Sequence, residues 1–219
     1  MKTEKIELII FDLDGTIVNS IFDIADGVNH VLKKMGYDLL SVKEVQNMVG
    51  SGVKKLINLA LIDVEDEAVK EKALAMFQQY YAKNLTNKTR PYHGVLETIQ
   101  QLPQYKKAIY SNKPHVLTTI VMDNLDLSSY FEIIQGADDS KYQRKPSPEG
   151  INYILQKLQV KPENALMVGD STHDIQAGKR AGLMTCAVTY GYRDEKVLSK
   201  EKPDFMIHKF SELLNILPH

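Results

Sequence analysis

The chain has 219 residues, with 27 basic and 28 acidic side chains and a formal net charge of −1. Its 43% hydrophobic and 25% charged residues are those of an ordinary globular chain, long enough to bury a core without disulfides or a structural metal. The even charge balance, without a basic run of five or more residues, argues against nucleic acid as a partner. No apolar stretch reaches the length of a membrane span.

The opening Met-Lys-Thr-Glu-Lys-Ile-Glu lacks the apolar stretch of a signal peptide. Residues Ile6 to Phe11 predict a short buried strand that ends in the polar loop Asp12-Leu13-Asp14-Gly15-Thr16. The period then changes. Ile21, Ile24, Ala25, Val28, Val31, Leu32 and Met35 recur at three- and four-residue spacing, which predicts a helix stopped by Gly36. Further helices are expected over 41–49, 53–61 and 65–85, the last with Val69, Ala73, Met76, Phe77 and Tyr80 on one face. No strand-like run occurs between Asn19 and Arg90.

From Tyr92 onward, helices near 93–102, 114–125, 148–158 and 172–181 alternate with strands near 106–110, 132–135, 165–168 and 183–188. Continuous apolar strands between amphipathic helices predict a doubly wound, mainly parallel α/β sheet covered on both faces. The simplest division is an α/β core of 1–16 and 92–219 with an α-helical insert, 17–91, after the first strand. Cys186, the single cysteine, sits in the last apolar run and is expected to be a core residue in a reducing compartment. The expected location is the cytoplasm.

Open α/β sheets bind ligands beyond the carboxyl ends of their strands. Asp12 and Asp14 follow the first strand, Ser111-Asn112-Lys113 the second, and Gly169-Asp170 a later one, with Asp174 one helical turn further on. Lys145 opens the helix before that later strand. Asp12 and Asp14, two residues apart, point to the same side of an extended chain. Bunched carboxylates require a cation, and an all-oxygen ligand set suits Mg²⁺. The carboxylate left over can attack phosphorus, while Ser111, Asn112 and Lys145 supply donors for phosphoryl oxygens. Each feature also has a plainer explanation. Asp-x-Asp-Gly favours a turn, Asp174 suits a helix N-terminus and Ser111-Asn112 can be a helix cap. Arg144 competes with Lys145 for its role, and Lys54 and Lys55 read as a solvated face. The six histidines show no ligand spacing.

Taken in order, Asp12-Leu-Asp-Gly-Thr, Ser111-Asn, Lys145-Pro and Gly169-Asp-Ser-x-x-Asp174 resemble the four motifs of the haloacid dehalogenase-like hydrolase superfamily. The insert resembles that family's cap. Gly50-Ser-Gly52-Val, Ser111-Asn-Lys-Pro, Lys145-Pro-Ser-Pro and Tyr190-Gly-Tyr192 are similar to its phosphoglycolate phosphatase branch. The resemblance implies Asp12 as nucleophile and metal ligand. It implies Asp14 as proton donor and then base, with its main-chain carbonyl on the metal. Asp170 would be the other direct ligand and Asp174 would act from outside the first coordination sphere. Thr16, Ser111, Asn112 and Lys145 would hold the phosphoryl group. The implied activity is Mg²⁺-dependent hydrolysis of a small phosphate ester by a monomer or homodimer, with neither nucleic acid nor membrane as partner. Gly50, Ser51 and Gly52, placed before a predicted helix, suit a second anionic group of the substrate, which points to 2-phosphoglycolate. Alternatives are a pyrophosphatase, a sugar-phosphate phosphatase or mutase, and a phosphorylatable signalling or binding module.

Overall fold

The computed structural model describes residues 6–217. Strand β1 (Leu8–Phe11) is fully buried and leads through the 12–17 loop into β2 (Val18–Asn19). Four helices follow: α1 (Ile21–Met35), α2 (Val42–Met48), α3 (Val53–Ala60) and α4 (Glu67–Lys83). Strand β3 (Arg90–Pro91) pairs antiparallel with β2, and α5 (Val95–Gln100) follows. Then come β4 (Lys106–Pro114), α6 (His115–Asn124), β5 (Ile133–Ala137), α7 (Glu149–Leu158), β6 (Ala165–Gly169), α8 (Thr172–Arg180) and β7 (Met184–Val188). The chain closes with α9 (Glu195–Lys200), β8 (Phe205–Ile207) and α10 (Leu213–Ile216).

Six strands form one parallel sheet in the order β5-β4-β1-β6-β7-β8. Strand β1 lies between β4 and β6, with Leu8 opposite both Lys106 and Ala165. Its side chains alternate between the two faces. Leu8 and Ile10 pack with Ile151, Ile154 and Ala177 of α7 and α8. Ile9 and Phe11 join the larger core with Ile99, Val121 and Phe210. Helices therefore cover both faces, and the doubly wound parallel sheet expected from the sequence is the one observed. No described helix is long and apolar enough to cross a membrane.

The helical insert continues the larger core through Ile24, Val28, Leu56, Phe77 and Tyr81. Gly36 ends α1 in the left-handed conformation, as expected for a glycine stop. Ser41 and Glu44 form a reciprocal capping box at the start of α2. Two expectations need correction. On α4 the buried row is Ala73, Phe77 and Tyr81, whereas Tyr80 is half-buried and stacks on His30 at 4.1 Å. An i, i+4 row passes through position 81 rather than 80. Strand β4 runs to Pro114 rather than stopping at Tyr110, with its register against β5 shifting between those residues. Its end is polar, so hydrophobic periodicity does not reveal it.

Candidate active site

The acidic groups follow the carboxyl ends of β1 and β6. The β1 ladder continues one residue past the strand, where the Asp12 amide donates to the Val168 carbonyl at 2.9 Å. The chain then turns sharply, with the amides of Thr16, Ile17 and Val18 all within reach of the Leu13 carbonyl. Gly15 has φ +89°, and a Cβ there would lie 2.3 Å from Asp170 Oδ2. Only glycine allows the β1 and β6 loops to approach this closely.

Asp12 is buried, and Lys145 Nζ donates to its Oδ1 at 2.7 Å. The same ammonium donates to Asp174 Oδ1 and to the Tyr110 carbonyl, each at 2.7 Å, so its three N–H groups are all used. Asp174 accepts from the Ser171 amide at 3.0 Å and from Ser171 Oγ at 2.6 Å through its other oxygen. Asp174 thus completes a helix start and a charge cluster at once. Asp170 Oδ2 accepts from the Tyr192 amide at 2.6 Å. Asp14 is held separately: Ser20 Oγ donates to it at 2.6 Å and Lys113 Nζ at 2.8 Å, and Lys113 also donates to the Tyr81 hydroxyl at 3.0 Å.

Burial pushes the Asp12 carboxyl up to about 7, with Lys145 pulling it down and Asp174 adding to the rise. Burial, reinforced by Asp12 and Asp174, raises Asp170 well above the carboxylate range. Burial alone would lower the Lys145 ammonium, but Asp12 and Asp174 outweigh it and hold the group above its ordinary value. Lys113 is raised in the same way by Asp14 and Tyr81, again against burial.

Asp12, Asp170 and Asp174 each offer an oxygen within 4.8 Å of the others, which makes them the candidate metal-binding group among the described residues. All three are buried, and among the described residues one ammonium, that of Lys145, reaches the cluster. Hard oxygen donors with uncompensated negative charge are what a Mg²⁺ ion requires, so the residues fit the ion. With both Asp174 oxygens already engaged, Asp12 and Asp170 have the freer lone pairs.

A cavity of about 60 Å³ lies over this cluster, lined by Asp12, Asp14, Ser111, Asn112, Lys145 and Asp170 among others. Gly50 and Gly52 line it too, whereas Ser51 is exposed and does not. Thr16 is fully buried, and among the described residues its Oγ1 has no hydrogen-bond partner. Ser111 Oγ accepts from the Lys113 amide at 3.3 Å. The Asn112 amide group donates to the carbonyls of Gly50 at 2.9 Å and Lys145 at 3.0 Å, bracing the two loops. Arg144 pairs with Asp139 at 2.8 Å, and Lys54 and Lys55 are exposed. Cys186 is buried in β7.

Sequence reasoning assigns no role to Ser20, Lys113, Tyr81 or Tyr192, although Lys113 and Tyr192 fall inside its motifs, and together these residues hold Asp14 and Asp170. Lys113 stands beside Ser111-Asn112, but nothing local marks its pairing with an aspartate 99 residues away.

An all-parallel sheet with paired aspartates after its central strand, and a lysine and two more aspartates at adjoining strand ends, defines a Rossmann-like α/β protein with a cation-ready acidic site. A profile of the haloacid dehalogenase-like hydrolase family matches residues 9–188. The chain belongs to that family. It is 33% identical over 225 residues to a phosphoglycolate phosphatase of Vibrio parahaemolyticus, covering 99% of this chain and 98% of that one. Its identity to a phosphoglycolate phosphatase of Aquifex aeolicus is 35% over 212 residues, covering 96% of each chain. The crystal structure of a predicted phosphoglycolate phosphatase from Haemophilus somnus superposes with a TM-score of 0.92 at 31% identity, covering 97% of this chain and 98% of that one.

Proposed function

We propose that this protein is a Mg²⁺-dependent phosphomonoesterase whose substrate is a compact ester with an anionic tail, 2-phosphoglycolate, and whose residues 17–91 act as a cap over the 1–16 and 92–219 core. One observation carries the reading. The buried Asp12 carboxylate, held by Lys145 at 2.7 Å, shares a cavity with Asp14, two residues further on but fastened to a different lysine.

That separation supports two roles for two carboxylates. An Asp12 oxygen attacks phosphorus, the ester P–O bond breaks, and Asp14 delivers a proton to the departing alkoxide. Water then attacks the aspartyl phosphate while Asp14 takes its proton, releasing phosphate and restoring Asp12. Lys113, Ser20 and Tyr81 keep the Asp14 carboxyl oriented between these steps. Lys145 keeps Asp12 in place and adds positive charge beside the transferring group. Asp12, Asp170 and the Asp14 main-chain carbonyl would hold Mg²⁺, with Asp174 bracing Lys145 and Ser171 behind them. When bound, Mg²⁺ neutralises the repulsion between attacking carboxylate and phosphate. Roles for Thr16, Ser111 and Asn112 at the phosphoryl oxygens rest on the motif resemblance, and the burial of all three near Asp12 and Asp14 is compatible with them.

The cavity's 60 Å³ corresponds to about four or five water sites, which favours a small ester over a phosphoprotein. The relatives named phosphoglycolate phosphatase support the same substrate. The test is phosphate release from 2-phosphoglycolate, pyrophosphate, glucose phosphates and p-nitrophenyl phosphate with Mg²⁺. We expect 2-phosphoglycolate to have the highest kcat/KM, excess EDTA to stop turnover and Asp12→Asn to abolish it. Asp14→Asn should cost about 10²–10⁴-fold in kcat. Full activity in Asp12→Asn would sink the mechanism.

A further inference from the structure

Three cations line the cavity: Lys113, Lys145 and Arg193. The first two are neutralised, Lys113 by Asp14 at 2.8 Å and Lys145 by Asp12 and Asp174 at 2.7 Å each. Arg193, just beyond β7, forms no ion pair among the described residues. Its guanidinium donates to the Gln46 carbonyl at 3.0 Å and to the Val49 carbonyl, both at the end of α2. Main-chain carbonyls orient a guanidinium but leave its full charge, and its five N–H donors exceed these two bonds.

The surroundings suit a ligand. Gly50 has φ +123°, and a Cβ there would lie 3.4 Å from Arg193 Nη2, so the glycine loop brings bare backbone against the cation. Tyr192, the preceding residue, donates its amide to Asp170 and receives a bond on its carbonyl from Gln46 Nε2 at 3.1 Å. The arginine is therefore anchored on one side to the acidic cluster and on the other to α2. With α2 lying over the strand ends, the guanidinium is already oriented for a ligand. In a cavity this small, an ester with its phosphoryl group beside Asp12 and Lys145 carries its other end within a few bonds of that group.

We propose that Arg193 is a specificity-determining residue that binds the carboxylate at the end of the substrate remote from the phosphoryl group. The assignment rests on the phosphomonoesterase reading above and names the residue that reads the anionic tail. A carboxylate matches the fork of a guanidinium in geometry as well as charge. The second phosphate of pyrophosphate would offer similar oxygens, so the experiment includes it.

The test compares kcat/KM for 2-phosphoglycolate, pyrophosphate and ethyl phosphate in the wild type, Arg193→Gln and Arg193→Lys. We expect the wild-type preference for 2-phosphoglycolate over ethyl phosphate to fall at least about 30-fold in Arg193→Gln, chiefly through KM, and to recover in part in Arg193→Lys. An equal fall on both esters would mean that Arg193 only fastens the loop to α2, and the assignment would be overturned. A fall confined to pyrophosphate would overturn the carboxylate in favour of a second phosphate. Binding is read separately in the Asp12→Asn background by calorimetric titration with 2-phosphoglycolate in the presence of Mg²⁺. There, adding Arg193→Gln should weaken Kd by a similar factor, and an unchanged Kd overturns the assignment. Should the wild type release phosphate from none of the esters, the phosphomonoesterase reading fails, while the titration still decides Arg193. Should Arg193→Gln not fold, Arg193→Lys carries the same comparisons, with a several-fold loss expected and none overturning the assignment.

Discussion

Lys145 holds together two carboxylates that would otherwise repel each other in a buried site. Its three N–H groups go to Asp12, Asp174 and the Tyr110 carbonyl. Removing one partner of a buried ion cluster strands the charges that remain, at a cost of about 3–5 kcal/mol. Lys145→Met should therefore lose roughly that much stability in urea denaturation without metal. Adding Mg²⁺ should restore part of it, because an ion bound only by the folded state stabilises that state by mass action. Unchanged stability would mean that Asp12 and Asp174 take up protons at little cost. Lys113 and Tyr81 illustrate the limit of residue-level reading. Each is ordinary in its local context, and only the bonds Lys113 makes to Asp14 and to Tyr81 give the pair a role.

At the scale of elements, the two crossings between the helical segment and the sheet are tied side by side. The β2–β3 pair joins Val18 to Pro91 and Asn19 to Arg90. Beside it, Asp23 in the first turn of α1 is 1% exposed and accepts from the Thr89 amide and hydroxyl at 2.7 Å and from the Lys88 amide at 2.9 Å. Asp23→Ala leaves those donors without an acceptor, two of them in a buried setting. The expected loss is about 2 kcal/mol in chemical denaturation. A change below about 0.5 kcal/mol would show that water replaces the carboxylate. The sequence marks Asp23 only as an acidic residue in a first helical turn. Its partners come from a segment 65 or 66 residues away, which no helical period contains.

For the whole molecule, the helical segment shares the larger apolar core with the sheet, and hydrogen bonds fasten it over the strand ends. They include Asn112 to the Gly50 carbonyl, Gln46 to the Tyr192 carbonyl, Lys113 to Tyr81 and Arg193 to the end of α2. Contacts of this kind exchange readily with water, whereas the β2–β3 pair supplies a short hinge. The proposed cap should therefore open in the free protein and close over substrate, excluding bulk solvent other than the water that hydrolyses the aspartyl phosphate. Small-angle scattering should give a larger radius of gyration for the free protein than for protein with Mg²⁺ and orthovanadate. Equal values would contradict the motion.

The sequence by itself determined what depends on neighbours in the chain. Hydrophobic period marked β1, the helices α1 to α4 and the alternation that builds a parallel sheet, and Gly36 marked where α1 stops. It also marked Asp12, Asp14, Asp170 and Asp174, because strand ends in such a sheet converge on one edge whatever the details of packing. Lys145 was marked over Arg144 by the family-like Lys-Pro pair. Tertiary structure decided the rest. The polar end of β4, Ser111 to Lys113, has no apolar alternation to betray a strand, since its burial is compensated by distant partners. Strand β8 spans three residues, too short for a period of two to register. Which lysine serves which aspartate, and the place of Arg193 against α2, follow from side chains meeting across long loops. Charge pairing acts through space, whereas sequence periodicity records only the geometry of a single element.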